Sequence, residues 1–344
     1  MNGIKDSLEY LKQQSFAVAV DAHTAGEPIR VVLKGCRDEL TDRGTMVDRQ
    51  MWMKENNDEF RTRTMQEPRG HAAMFGAIVM EPARPEADVG VLFPYPAGYA
   101  DMCGHGSIGV ATVLSELGII PTEPESNKIV LDTPAGLVET IAHYENGGVK
   151  KVDLFGTPSF FLDTIQLDLD GKVVEVALSF GGNYFGIVRA EKFDLSVSPE
   201  DLPQLNHYAH EILEKVNARE DVQLVHPETG ELPLERIRFV EGEGGGKNVV
   251  IHEGAVIDRS PCGTGTCSQV AWEYEKGDRG LGEGKLYKSI IDTEFHGTAV
   301  KEKSFNGREA IIPKVTGESH ITGLNYFVAS DDDPLTDGFS IGHA

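Results

Sequence analysis

The chain has 344 residues, more than one hydrophobic core usually serves, so two domains or lobes are expected. Its 40% apolar and 25% charged residues are those of a soluble globular protein, and a net charge of −23 argues against nucleic acid, whose phosphates require clustered Lys and Arg. No run approaches the roughly 20 apolar residues of a membrane span, and Met1 to Gln14 lacks the apolar core of a secretory signal. Cys36, Cys103, Cys262 and Cys267 are too few and scattered for a disulfide framework, so a cytoplasmic protein with reduced thiols is expected.

In chain order, Ile4, Leu8 and Leu11 predict a short amphipathic helix over Ile4 to Gln14. Phe16 to Asp21 and Ile29 to Leu33 read as strands, Met46 to Thr62 as a helix, and Met74 to Met80 and Val89 to Phe93 as strands. Ser107 to Leu117 is apolar on most sides, which marks a buried helix. Strands follow at Ile129 to Leu131, Leu137 to Ile141 and Val149 to Phe155. Asp170-Gly171 signals a hairpin between Ile165 to Leu169 and Val173 to Leu178. Tyr184 to Val188 is a further strand. Ser198-Pro199-Glu200-Asp201 reads as an N-cap with proline at the first helical position, opening a helix to about Val216. Strands at Ile237 to Val240 and Val249 to His252, a helix from Cys267 to Glu275, and strands at Ile290-Ile291, Ala310 to Ile312 and Tyr326 to Val328 complete the reading.

One pattern occurs twice. Asp101-Met102-Cys103-Gly104-His105-Gly106-Ser107 and Arg259-Ser260-Pro261-Cys262-Gly263-Thr264-Gly265-Thr266 share Cys-Gly-x-Gly and a hydroxyl residue, about half a chain apart. Each leads into a helix, so the order surface helix, two strands, cysteine turn, buried helix repeats. A helix N-terminus offers unpaired N–H groups and roughly +0.5 of a charge. It binds a carboxylate and favours a thiolate. Two such ends converging on one carboxylate would let the thiols remove and return an α proton on opposite faces. Buried structural cysteines are the bland alternative.

Three other patterns are weaker. Gly104-His105-Gly106-Ser107-Ile108-Gly109 with Asp132 resembles a dinucleotide fingerprint, but no strand runs directly into its first glycine. Cys103, His105, Cys262 and Cys267 fit no common zinc spacing. Gly242-Glu243-Gly244-Gly245-Gly246-Lys247-Asn248 lacks the Ser or Thr of a P-loop and reads as a hairpin tip. A Cys262–Cys267 disulfide is excluded on one helix, where the α carbons would stand about 8 Å apart.

The stretches Asp21-Ala22-His23-Thr24-Ala25-Gly26-Glu27, Glu67-Pro68-Arg69-Gly70-His71, Met102 to Gly106 and Asp258 to Thr266 resemble the proline racemase family, over about Phe16 to Phe339. That family includes proline racemases, 4-hydroxyproline 2-epimerases and trans-3-hydroxyproline dehydratases. The resemblance implies an α/β (α+β) fold of the diaminopimelate-epimerase type, with two pseudo-symmetric lobes, each a curved sheet around a central helix. Residues 1–157 plus about 323–344 would form the lobe carrying Cys103, and 158–322 the lobe carrying Cys262, with the active site in the cleft between them.

It further implies an isomerase with Cys103 and Cys262 as the acid/base pair. Amides of Gly104, His105, Gly263 and Thr264 would hold the substrate carboxylate, and Asp258 would accept from the ring nitrogen. No cofactor and no metal would be used. The partner would be a small imino acid, proline or hydroxyproline, and a homodimer is compatible with the family. The similar dehydratases carry threonine at the second cysteine, so Cys262 favours two-base chemistry. The acidic ending Asp331-Asp332-Asp333-Pro334-Leu335 instead is similar to theirs. Phe75 matches an aromatic that packs on the ring, whereas His252 stands where racemases tend to place a second Phe. Racemisation of proline is the favoured activity, with 4-hydroxyproline epimerisation and then 3-hydroxyproline dehydration as alternatives.

Overall fold

Neighbouring parallel strands cannot be joined by a tight turn; the connection needs a dozen or more residues, usually a helix. That constraint decides where five α-helices of this chain lie. The computed structural model describes residues 9–341 apart from 11, 122, 170, 227–229 and 255. Its helices are α1 (Met46–Asn56), α2 (Asp58–Met65), α3 (Gly104–Glu116), α4 (Leu202–Asn217) and α5 (Gly263–Glu275). Most of the helix expected over 4–14, and Asp170 of the expected hairpin turn, lie outside the described residues.

The chain divides into two compact units. The first comprises 1–24, 28–152 and 318–343; the second comprises 25–27 and 153–317. In the first, Glu27–Lys34 pairs in parallel with Gly76–Met80, and α1 and α2 make the crossover. Gly76–Met80 turns antiparallel into Val89–Tyr95. Val89–Tyr95 pairs in parallel with Ser126–Thr133, and here α3 makes the crossover. Ser126–Thr133 turns back into Gly136–Glu145, and Ser15–Thr24 pairs with the late strand Ser319–Val328.

The second unit repeats this plan. Tyr184–Arg189 pairs in parallel with Arg236–Glu241 across α4. Arg236–Glu241 turns antiparallel into Lys247–His252. Lys247–His252 meets Gly284–Lys288 in parallel across α5, and Gly284–Lys288 turns back into Glu294–Phe305. Each cysteine helix is thus the second crossover of its own unit.

The two kinds of helix bury different amounts of surface. In α4 only Leu205, Ala209, Ile212, Leu213 and Val216 are buried, a single stripe facing the core of the second unit. In α3 every residue from Gly104 to Ser115 is buried, and α5 is buried nearly throughout. Strands of the first unit pack around α3, and strands of the second pack around α5. The mixed α/β class and its sheets wound about central helices are those expected from the sequence.

Several boundaries differ from the sequence reading. The helix expected over Met46 to Thr62 is two, because Asn57 (φ −150°, ψ 38°) leaves helical geometry. Helix α4 starts at Leu202 with Pro203 in its first turn; Ser198 instead accepts the Asp201 N–H at 3.3 Å, one turn earlier. Ile290-Ile291 lies in a turn, where the Ser289 hydroxyl accepts the N–H groups of Ile291 and Thr293 at 3.2 Å each. The strand Glu294–Phe305 was not expected, since its outer half is charged and exposed.

One close approach fixes α5. A Cβ built on Gly181 would stand 2.3 Å from the Ser268 nitrogen and 2.4 Å from the Thr264 oxygen, both helix backbone. Overpacking that cannot be relieved by a rotamer typically costs about 1–3 kcal/mol. Gly181→Ala is therefore expected to lose roughly 3 kcal/mol in urea unfolding, with an unchanged slope.

Candidate active site

In the first unit Cys103 is the N-cap of α3 (φ −139°, ψ 120°). Its sulfur accepts the Gly106 N–H at 3.3 Å and lies 3.3 Å from Nδ1 of His105. Ser107 donates its hydroxyl to the Cys103 carbonyl at 2.7 Å, closing the turn. The glycine at 106 is required: a Cβ there would meet the Phe93 ring at 2.9 Å and the Cys103 sulfur at 3.1 Å. Gly109 is required for packing, with a Cβ 2.6 Å from Ile29. The apparent dinucleotide fingerprint is thus spent on the helix's own packing. Gly104 and His105 open α3, where a helix has no acceptor of its own for backbone N–H groups. The Thr24 hydroxyl donates to the His105 carbonyl at 2.9 Å, and Phe75 meets the His105 ring edge-on at 5.1 Å.

In the second unit Cys262 is the N-cap of α5, and its sulfur accepts the Gly265 N–H at the same 3.3 Å. A Cβ on Gly265 would stand 3.1 Å from that sulfur. Here the cysteine itself is left-handed (φ 62°, ψ 118°), an uncommon conformation for a residue other than glycine. Gly263 and Thr264 open α5, with the Thr264 hydroxyl 3.7 Å from the Cys262 sulfur. Asp258 accepts both the N–H and the hydroxyl of Ser260, at 2.8 and 2.7 Å. The Ser260 oxygen accepts the Cys262 N–H at 3.0 Å. One serine therefore ties the aspartate to the backbone amide of Cys262. His252 ends the strand Lys247–His252. Asp258 pairs with Val250, so the alternation of side chains puts His252 on the face of Asp258.

Burial governs the second thiol. It pushes Cys262 up to about 12, and the charge of Asp258 adds to this; the Arg238 guanidinium, the Gly265 N–H and the Thr264 hydroxyl act against it. The expectation that a helix N-terminus alone favours thiolate does not hold at Cys262, where desolvation outweighs the helix. None of the four cysteines is in a disulfide. Among the described residues no group of three or more His, Cys, Asp and Glu could hold a metal ion. No helix among them is long and apolar enough to cross a membrane. The glycine-rich stretch at 242–247 joins two antiparallel strands as a hairpin tip.

Residues 19–340 match the profile of the proline racemase family. The chain belongs to that family. The proline racemase of Clostridioides difficile is 36% identical over 326 residues, 93% of this chain and 97% of that protein. The trans-3-hydroxy-L-proline dehydratase of Bacillus thuringiensis subsp. konkukian (strain 97-27) is 34% identical over 338 residues, 96% of this chain and 100% of that protein. The crystal structure of a hydroxyproline epimerase from Agrobacterium vitis with bound trans-4-OH-L-proline matches with a TM-score of 0.84 at 25% identity, covering 94% of each chain. The two sequence relatives differ by only 2% in identity, so overall similarity does not choose between their activities.

Within this proline racemase family member, two of the quoted motifs serve the scaffold. Arg30, buried, makes two 2.8 Å contacts with the Asp21 carboxylate and donates to the carbonyls of Thr64 and Arg69 at 2.6 Å each. Gly70 admits no side chain, since a Cβ would lie 2.0 Å from the Met65 oxygen. Residues that sequence reading gave no role are Ser260, Arg238 and Glu27. Arg238 is flanked by the apolar residues Ile237 and Phe239 in its strand, and its partner Gln269 lies 31 positions away, so only the fold joins them.

Glu27 accepts the Arg259 N–H at 2.7 Å and is 5% exposed. Burial first, then the Asp258 charge, raise its carboxyl from 4.5 to about 8, against the Arg259 amide and guanidinium. The folded protein therefore keeps a proton that the unfolded chain releases near 4.5. The resulting stability is complete below that value and is lost as pH rises through about 8. Glu27→Gln keeps an acceptor for Arg259 and removes the titration. Its urea midpoint is expected to fall less than that of the unsubstituted protein between about pH 5 and pH 8.

Proposed function

We propose that the protein is a cofactor-independent racemase or epimerase acting at the α carbon of proline or hydroxyproline, with proline racemase the favoured activity. The observation behind this reading is the repeated turn: in both units a cap cysteine accepts the amide three residues on at 3.3 Å, at the start of a buried helix. A dehydratase-like second turn would carry threonine at 262. In the proposed reaction the two sulfurs stand on opposite faces of the α carbon. One thiolate takes the proton while the other thiol gives one, and roles exchange for the other enantiomer. Cys262, pushed up to about 12 by burial, is suited to start as the proton donor. As the carbanion forms, charge on the substrate carboxylate meets the opening amides of α3 and α5, at Gly104, His105, Gly263 and Thr264. Asp258, fixed by Ser260, takes the ring N–H. Phe75, edge-on to His105, supplies an apolar surface for the ring.

A second reading, 4-hydroxyproline 2-epimerase, is favoured by His252, whose position on the Asp258 face suits a hydroxylated ring.

The test is deuterium incorporation at the α carbon of each imino acid in heavy water without added coenzyme, followed by chiral analysis. Cys103→Ser and Cys262→Ser should each lower exchange by roughly 10²–10⁴-fold or more, the size of an acid/base contribution. Unimpaired exchange in either variant would end the two-thiol mechanism. A cyclic imine from trans-3-hydroxyproline, with no exchange on proline, would place the protein with the dehydratases.

A further inference from the structure

Arg238 lies in the strand Arg236–Glu241 and is completely buried. A buried guanidinium is costly unless it is paired. Its Nε donates to Oε1 of Gln269 and its Nη1 to the Pro261 carbonyl, each at 2.7 Å. Its Nη2, also buried, has no hydrogen-bond partner among the described residues. Both partners are neutral.

Two carboxylates act on its charge from a distance, Glu273 first and then Asp258, and Glu273 is already taken. Its Oε1 accepts from Gln269 Nε2 and Lys285 Nζ at 2.8 Å each. Its Oε2 accepts from the Tyr287 hydroxyl at 2.7 Å and pairs with Arg279 at 2.9 Å. Three cations, Arg238, Arg279 and Lys285, thus share one carboxylate. Arg279 and Lys285 contact it directly; Arg238 does not.

This guanidinium, which no carboxylate among the described residues contacts directly, lies against the second cysteine turn. Pro261, whose carbonyl it holds, immediately precedes Cys262. A Cβ built on Gly265 would stand 2.7 Å from Arg238 Nη1 and 3.1 Å from the Cys262 sulfur, so the cation and the thiol flank the same glycine. We propose that Arg238 is a positioning residue whose standing positive charge awaits the Cys262 thiolate as its counter-ion, easing proton loss when that thiol must act as the base. This rests on the acid/base reading of Cys262. Burial and Asp258 raise the Cys262 thiol; Arg238 is the first of the groups acting against them, ahead of the Gly265 N–H and the Thr264 hydroxyl, and the buried Cys267 thiol is also within electrostatic reach. At the first turn the neighbour of the sulfur is the His105 ring, 3.3 Å away.

The experiment follows the rate of iodoacetamide alkylation at Cys262 at a fixed, mildly alkaline pH by peptide mass spectrometry in the folded protein, which reads the thiol without requiring turnover. Arg238→Met is expected to slow alkylation about tenfold, the loss of thiolate that one pH unit represents. Arg238→Lys, which keeps the charge, should restore most of it. Gln269→Glu, which gives Arg238 a private carboxylate, should slow alkylation in the same sense with the arginine still present. If Arg238→Met does not fold, Gln269→Glu alone decides. An unchanged rate in either folded variant, or an equal loss in Arg238→Lys, overturns the proposal. The expected losses of rate in a protein that exchanges no α deuterium would instead overturn the racemase reading and leave the charge coupling standing.

Discussion

A sulfur resting on the third amide of a buried helix is the contact on which the rest of this structure depends. It demands a cysteine just outside helical geometry and an amide that turns back to meet it. It also demands a residue without a side chain at that amide. Gly106 and Gly265 meet the last condition, each with a missing Cβ 3.1 Å from its sulfur. The crossover topology meets the others: each helix begins a few residues after a short strand, Gly98–Ala100 or Ile257–Asp258, that has turned back on its neighbour. Gly109 and Gly181 then let neighbouring chain close on the two helices. Glycines near these turns serve packing as much as they serve any ligand.

The same burial that orders the turns opposes their chemistry. A helix N-terminus carries about half a charge, and that is too little to hold a thiolate in an environment that excludes water. At Cys262 desolvation outweighs every favourable neighbour in the absence of a ligand. In the role proposed for Arg238, the protein meets this with charge placed in advance, a guanidinium that no carboxylate among the described residues contacts directly. Such preorganisation is costly to the folded state and useful only when an anion appears beside it.

Much of the fold was legible because strands alternate and buried helices do not. The all-round apolar run from Ser107 to Leu117 identified a central helix, and the cap signal Ser198-Pro199-Glu200-Asp201 a helix running to about Val216, which the structure shows buried along one stripe only. The true first turns were missed, since Gly104-His105-Gly106 and Gly263-Thr264-Gly265 have poor helix propensity and read as loop. They are helical because packing fixes them. Glu294–Phe305 was missed because Lys301, Glu302 and Lys303 mask its alternation. Both cysteines were legible from their repeated context. Arg238 was not, because a lone arginine in a strand ordinarily reads as facing water. Glu27 lay within a quoted motif, but its partner Arg259 is 232 positions distant.

The strand Ser15–Thr24 pairs with the adjacent Glu27–Lys34 along one edge, but the partner for its other edge is Ser319–Val328, almost the whole chain away. During synthesis on the ribosome it emerges early and must wait for nearly everything else to be translated. The continuous run 153–317 can meanwhile collect its own strands and helix α4 before the ribosome reaches the end. The unit that begins first is therefore completed last, and its early strand spends translation as an open edge. Such an edge is what chaperones that hold nascent chains would meet.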